Sequence, residues 1–504
     1  MGGSKGEASA HETTPPRKAG PITDVSLHRP EHNAKTRFMN QKAAPRFELG
    51  IKDLQSSALP LGHAAAGGSA SPPADRISES KTGLLVVCNG HGEDLIALRI
   101  LEALHDLEHQ LPLSVLPLVG EGKAFTLAMQ QGWLRMIGPR AQLPSGGFSN
   151  QSARGLLADL VAGLPLLTWR QWRCLRRESK QVSAVLAVGD LLPLLMAWGS
   201  RQPFGFVGTP KSDYTWSSGP KRHLSDTYHR LKGSEWDPWE WALMGSKRCQ
   251  LVAMRDRLTA RGLRRHGVQA LAPGNPMMDG LKTSPPPAAL ERCRRLLLLC
   301  GSRMPEALRN AERLLRSLQG FPSDVPLTLL MATGSRPSEE ALQPMLHQLG
   351  FRPCPPPAAS VNATACWVNG AQMLLLGSGR FNQWASWAEV GLATAGTATE
   401  QLVGLGIPSL SLPGRGPQFT QGFAERQSRL LGGAVRTCGS AAELQRHLTA
   451  LLADTPLRET LGRIGRQRMG GAGGSRALAQ LVIKRLIADT DLTPALLHGQ
   501  HPGP

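Results

Sequence analysis

Apolar residues along this chain come as short unbroken runs, each closed by a glycine turn and followed by a helical period. Gly83 to Cys88 (GLLVVC) reads as a buried strand. Asn89-Gly90-His91-Gly92-Glu93-Asp94 reads as its turn, and Leu95 to Leu104 as a helix. The pattern recurs at Ser114–Val119, at Val182–Val188 ending in Gly189-Asp190, at Phe204–Thr209 and at Leu251–Met254. Gly274-Asn275-Pro276 closes this series, and Pro285-Pro286-Pro287 lies in a linker. A second series begins at residues 296–300, with Gly301-Ser302-Arg303 as its first turn, and continues through Leu327–Ala332, Gln372–Leu376 and Val390–Thr394. Runs without alternation fit parallel strands covered on both faces. The expected fold class is therefore α/β, with two Rossmann-like doubly wound domains at 81–280 and 281–490 facing a cleft.

The stretch Glu389 to Gln427 carries the clearest unit. Val390–Thr394 reads as a strand, Ala395-Gly396-Thr397 as a small-residue turn, and Thr399 onward as a helix that Thr397 or Thr399 could cap. Gly404 and Gly406 end that helix, and Ile407–Leu412 reads as the next strand. A small-residue turn feeding a helix N-terminus presents amides and the positive dipole end to a phosphate. Glu400, one turn in, is placed to accept from ribose hydroxyls; the competing reading is an ordinary turn with a solvated Glu.

Two polar positions draw attention in the first series. Asp190 ends a strand where open α/β sheets hold ligands, or it caps the helix from Leu191. His91 is either a substrate-facing base or a polar residue at a helix start. Leu166–Lys180 reads as an amphipathic helix with Trp169, Trp172 and Leu175 among Arg170, Arg173, Arg176, Arg177 and Lys180. That face suits an anionic membrane surface, or it is a solvated basic face over a core stripe. Residues 211–244 gather Tyr214, Trp216, Trp236, Trp239 and Trp241, as an acceptor or membrane lip or as a loop folded on its own aromatics.

Composition narrows the partners. The formal charge is +19, and both folded halves share the excess, which favours phosphate-bearing partners. Aromatics are only 5%, and no RNA- or DNA-binding signature is present, so nucleic acid is not expected. The eight cysteines make neither a CxxC pair nor a zinc spacing and read as free thiols in a reducing compartment. The longest apolar run, Ala184–Trp198, carries Asp190 and Pro193, so no transmembrane helix is expected. Residues 1–80 are Pro/Gly/Ser/Ala-rich and aperiodic and are expected to be disordered, as is a flexible tail at 491–504. Residues 44–66 resemble a translated tRNA gene, which places the expected start near residue 80; a transit peptide is the competing reading.

Four blocks carry a family resemblance. AGTATEQLVGLGIPSLSLP is similar to the donor-nucleotide motif of GT-B glycosyltransferases. LLLLCGSRMPE (Leu296–Glu306), GNPMMD (Gly274–Asp279) and AVGDLLP (Ala187–Pro193) resemble, in the same order, elements of lipid-A-disaccharide synthase, and more closely the related group found in cyanobacteria. The resemblance implies an inverting GT-B glycosyltransferase that moves an N-acetylglucosamine-type sugar from UDP to a lipid-linked or sugar-phosphate acceptor. It would act in the cytoplasm, peripheral to the inner face of the membrane. A UDP-N-acetylglucosamine 2-epimerase-like enzyme and a non-catalytic UDP-sugar-binding protein are the alternatives. Gly301, Ser302, Arg303, Gly396, Thr397, Ala398, Thr399, Glu400 and Gln418 would hold the UDP-sugar. Arginine and the helix dipole would stabilise leaving UDP, so no metal is expected. Asp190 is the expected base, with His91 second. Glu93, which departs with His91 from the family's element at that turn, is a further candidate.

Overall fold

The first strand of the described chain, β1 (Leu84–Cys88), is buried at every residue, as its unbroken apolar run requires. The structure is a computed structural model that describes residues 83–90, 92–141, 157, 159–218, 224–323, 325–414 and 419–488. The expectations for residues 1–80, for the tail from 491, and for His91 and Gln418 lie outside the described residues.

β1 joins β2 (Leu113–Pro117), β3 (Leu134–Met136), β4 (Ala184–Gly189), β5 (Phe204–Gly208), β6 (Cys249–Met254) and β7 (Ala270–Leu271) in a parallel sheet of order β3-β2-β1-β4-β5-β6-β7. A second sheet holds β8 (Arg294–Leu299), β9 (Leu327–Thr333), β10 (Arg352–Cys354), β11 (Ala365–Asn369), β12 (Gln372–Ser378), β13 (Val390–Ala393), β14 (Ser409–Ser411) and β15 (Val435–Thr437). Its order is β10-β11-β12-β9-β8-β13-β14-β15, parallel except where β10, β11 and β12 run antiparallel. In each sheet the order reverses direction beside the first strand. These switch points lie between β1 and β4 and between β8 and β13, and open α/β sheets bind ligands outside the carboxyl ends there.

The helices that matter below are α1 (Gly92–Leu107), α2 (Leu164–Glu178), α3 (Leu191–Gly199), α4 (Arg257–Arg265), α5 (Glu306–Ser317), α6 (Thr397–Gly404), α7 (Gln421–Leu430), α8 (Thr455–Met469) and α9 (Gly474–Val482). α9 crosses back to the first sheet. Its Leu478, Ala479 and Val482 share a buried cluster with Ile96 and Ile100 of α1, and with Val403 and Met469 of the second half. One apolar core therefore runs through both halves, which belong to one compact unit.

The Gly274–Asp279 block closes this junction. The Asn275 side chain donates to the Met469 carbonyl at 3.2 Å, and Asp279 accepts from the amides of Gly473 and Ser475, the latter at 2.6 Å. A Cβ on Gly274 would lie 2.9 Å from the Gly474 Cα, so two glycines are needed where the backbones cross.

Candidate functional site

At the first switch point, β1 runs into Asn89-Gly90 and β4 into Gly189-Asp190. Gly189 has φ +138°, and a Cβ there would lie 3.0 Å from the Asn89 Cβ and 3.6 Å from the Glu93 Cγ. The glycine lets three polar side chains converge. Asp190 Oδ1 accepts from the Leu192 amide at 3.1 Å, capping α3, and its carboxylate also accepts from Asn89. Burial raises the Asp190 pKa against the opposing pull of this cap, Lys211 and Asn89. Glu93 stands half-buried in the first turn of α1. Burial, together with the negative charges of Asp190, Asp94 and Glu400, raises its pKa from 4.5 to about 7. Behind it the Cys88 thiol donates to Asp94 at 3.0 Å, and burial pushes that thiol's pKa well above its usual value.

The second switch point has small residues and a cation. Gly301, with φ +85°, turns the chain after β8, followed by exposed Ser302 and half-buried Arg303. Burial lowers the Arg303 pKa while Glu306 opposes the shift. After β13, Gly396 begins α6 with no side-chain cap. Neither Thr397 nor Thr399 caps, contrary to the expectation from the sequence. The Thr399 hydroxyl instead donates backwards to the Ala395 carbonyl at 2.7 Å, because a residue inside the first turn faces the preceding carbonyls. Gln427 of α7 donates to the Gly396 carbonyl at 3.1 Å and braces the turn. The first amides of a helix have no intrahelical acceptor, so those of Thr397 and Ala398 suit an anion.

The two turns meet. A Cβ on Gly92 would lie 2.9 Å from the Thr397 Oγ1. Arg255, just past β6, donates from Nη2 to Glu400 Oε2 at 2.7 Å and from Nη1 to the Thr209 carbonyl at 3.3 Å. Burial works against its charge, but Glu400, Asp256 and Glu93 outweigh burial and raise its pKa. Glu400 therefore faces a guanidinium from the opposite domain. Sequence reasoning missed Arg255, although its place immediately after a buried strand marks it as a site residue. Asn89 and Gln427 were likewise missed, since neither carries charge.

The aromatics of 211–244 do not form one exposed face. Trp236 is fully buried and packs edge-on against Phe206, and Trp241 stacks on His266 at 3.6 Å between ring centroids. Of the five aromatics named for the lip, Trp239 alone is exposed, at 56%. The segment instead ties to α7: Arg426 pairs with Glu235, and Arg429 donates to the Thr215 carbonyl at 2.6 Å. In α2 the two tryptophans part company. Trp169 is 52% exposed with Arg173 over its ring at 4.8 Å, whereas Trp172 packs onto Gly199 of α3.

Two Rossmann-like domains with facing carboxyl-end turns and a C-terminal crossover helix define the GT-B fold. Among solved structures, CalG4, the calicheamicin glycosyltransferase, is similar with a TM-score of 0.51 at 13% identity, over 81% of this chain and 100% of its own. MurG from Acinetobacter baumannii gives a TM-score of 0.47 at 15% identity, over 80% of this chain and 99% of that one. A putative UDP-N-acetylglucosamine 2-epimerase from Listeria monocytogenes gives 0.49 at 12% identity, over 82% and 98%. No protein-family model and no curated protein matches the chain.

Proposed function

We propose that this protein is an inverting GT-B glycosyltransferase that moves an N-acetylglucosamine-type sugar from UDP to a lipid-linked or sugar-phosphate acceptor, in the manner of lipid-A-disaccharide synthase. The observation that carries the reading is the meeting of the turn that holds Glu93 with the α6 N-terminus: Gly92 lies against Thr397, and the charges of Asp190 and Glu400 act on Glu93. The UDP diphosphate lies against Arg303 and the first amides of α6, flanked by Gly301, Ser302 and Gly396. A guanidinium fork matches phosphate oxygens, and the helix dipole adds to it. Glu400 turns to the ribose, which requires it to share or leave Arg255. Glu93, with its pKa near neutrality, takes the acceptor proton as the hydroxyl oxygen attacks the anomeric carbon. Asp190 keeps that pKa up by like charge. UDP leaves with its negative charge on Arg303 and α6, with no metal in the scheme.

The acceptor's lipid character is supported by α2 and the turn before it. Leu160, Val161, Leu166 and Trp169 are exposed there beside the exposed Arg170, Arg173 and Arg177. Among the described residues no helix is long and apolar enough to cross a membrane. An apolar patch in a basic rim suits an anionic lipid surface met from one side. Co-sedimentation with anionic vesicles, reversed by salt and absent with neutral ones, is the expected result; equal sedimentation with both would remove this part.

The packing of Glu93, Asp190 and Glu400 also favours a second reading, a UDP-N-acetylglucosamine 2-epimerase, which needs several acid/base carboxylates. An assay of UDP release from UDP-N-acetylglucosamine separates the two. Transfer gives UDP only when a lipid or sugar-phosphate acceptor is added. An epimerised sugar nucleotide formed without acceptor would replace the first reading by the second.

A further inference from the structure

A pair of thiols lies outside the cleft, at the edge of the second sheet. β10 and β11 pair antiparallel with Cys354 directly opposite Cys366, and their sulfurs are 3.0 Å apart. Both are free thiols. Directly opposed residues of an antiparallel pair hold their Cβ atoms about 4.5–5.5 Å apart. A disulfide needs about 3.5–4.5 Å, so closure requires a small approach and no change of register. The pair opens on a surface cavity of about 430 Å³ lined by Glu339, Gln343, His347 and Thr364 among others. Cys354 is half-buried, so a small oxidant in that cavity can reach it, whereas Cys366 is buried behind it. Burial and the neighbouring Cys354 push the Cys366 thiol up to about 12. Among the described residues no group of three or more His, Cys, Asp or Glu is placed to hold a metal ion, so the chemistry open to the pair is that of a dithiol.

We propose that Cys354 and Cys366 form a reversible dithiol–disulfide site oxidised by small-molecule disulfides of the glutathione type. The Cys354 thiolate attacks one sulfur of oxidised glutathione, forming a mixed disulfide and releasing one glutathione thiolate. Cys366 then loses its proton and displaces the second glutathione, closing the cross-strand bond. Two protons and two electrons leave the protein, and one oxidised glutathione becomes two reduced ones. The high pKa of Cys366 makes the second step the slower one and makes its rate rise with pH. The bond clamps β10, an edge strand held only through β11. β12 and β9 stand between β11 and the switch-point strand β8, so the donor site is not part of this device.

The test uses the full-length wild-type chain, incubated with oxidised glutathione, quenched with iodoacetamide and digested without reduction for mass spectrometry. The expected product is one linked peptide pair through Cys354 and Cys366, with two fewer alkylated cysteines than the eight of the reduced chain. Dithiothreitol should reverse it, higher pH should speed it, and Cys354→Ser should abolish the link. Eight alkylated cysteines after prolonged oxidation, or a glutathione adduct on Cys354 that never resolves into the link, would overturn the proposal.

Discussion

After β1 and β4 the first domain brings together two carboxylates, Glu93 and Asp190, over a glycine; after β8 and β13 the second brings together glycines, an arginine and the amide end of α6. Three of the four turns share a backbone solution, a buried parallel strand followed by a left-handed glycine at Gly90, Gly189 or Gly301; the fourth, at Gly396, has φ −85° and opens α6 directly. The chemistry is opposite in sign. Crowded acids in a half-buried place lift a carboxyl toward neutrality, which suits proton abstraction. A guanidinium and helix amides attract phosphate, which suits donor binding and departure of UDP. In the proposed reaction, opposite charge on the two turns would let one cleft hold an anionic leaving group beside a base without the two repelling at contact. Arg255 and Glu400 join the halves across that cleft.

The largest effect on this contrast should come from Glu93→Gln. Removing a positioned base costs about 10²–10⁴-fold in turnover, read as acceptor-dependent UDP release. Retained turnover would move the base to Asp190 or to His91.

Next in size is Arg255→Met. The Arg255 and Glu400 side chains are 8% and 14% exposed, so the variant leaves a largely buried carboxylate unpaired, at a cost of about 2–4 kcal/mol. Denaturant unfolding should show it. An unchanged midpoint would mean that the two domains do not share this bond in solution.

Glu93→Gln also sharpens the contrast through pH. The folded pKa is raised from 4.5 to about 7, so Glu93 favours folding while protonated, and that contribution is lost as pH rises from 4.5 through about 7. The amide mimics the neutral form. It should change little at about pH 5 and raise stability at about pH 8 by up to ~3 kcal/mol. Equal melting shifts at both pH values would contradict the raised pKa.

The alternation of apolar run, glycine and helix was legible because parallel strands covered on both faces must be apolar throughout. It showed β1, β4, β8 and β13, and with them Asp190, Arg303 and the α6 turn. What stayed hidden depends on pairing across distance. The Arg255–Glu400 bond joins residues 145 apart in the chain, and no local pattern marks which arginine crosses a cleft. The tryptophans of 211–244 left two readings open because aromatic density reads alike for a wet lip and for a loop wrapped on its own core, and Trp236 belongs to the core. Cys354 and Cys366, twelve positions apart, meet only because β10 and β11 form a hairpin-like pair.

The smallest expected effect is that of Asp190→Asn. It removes one of the charges that hold the Glu93 pKa up, so the rising limb of kcat/KM against pH should move to lower pH. A limb that stays in place would assign the shift to burial and to the charges of Asp94 and Glu400.

The division of labour between the two turns is tested most directly by titrating UDP into wild type, Glu93→Gln and Arg303→Ala side by side in a calorimeter. Charge-assisted hydrogen bonds to a diphosphate are worth about 1.5–3 kcal/mol each, so Arg303→Ala should weaken UDP binding by about tenfold or more. Glu93→Gln should bind UDP as wild type does. Equal losses in the two variants, or unchanged affinity in Arg303→Ala, would contradict a donor held by the second domain and a base supplied by the first.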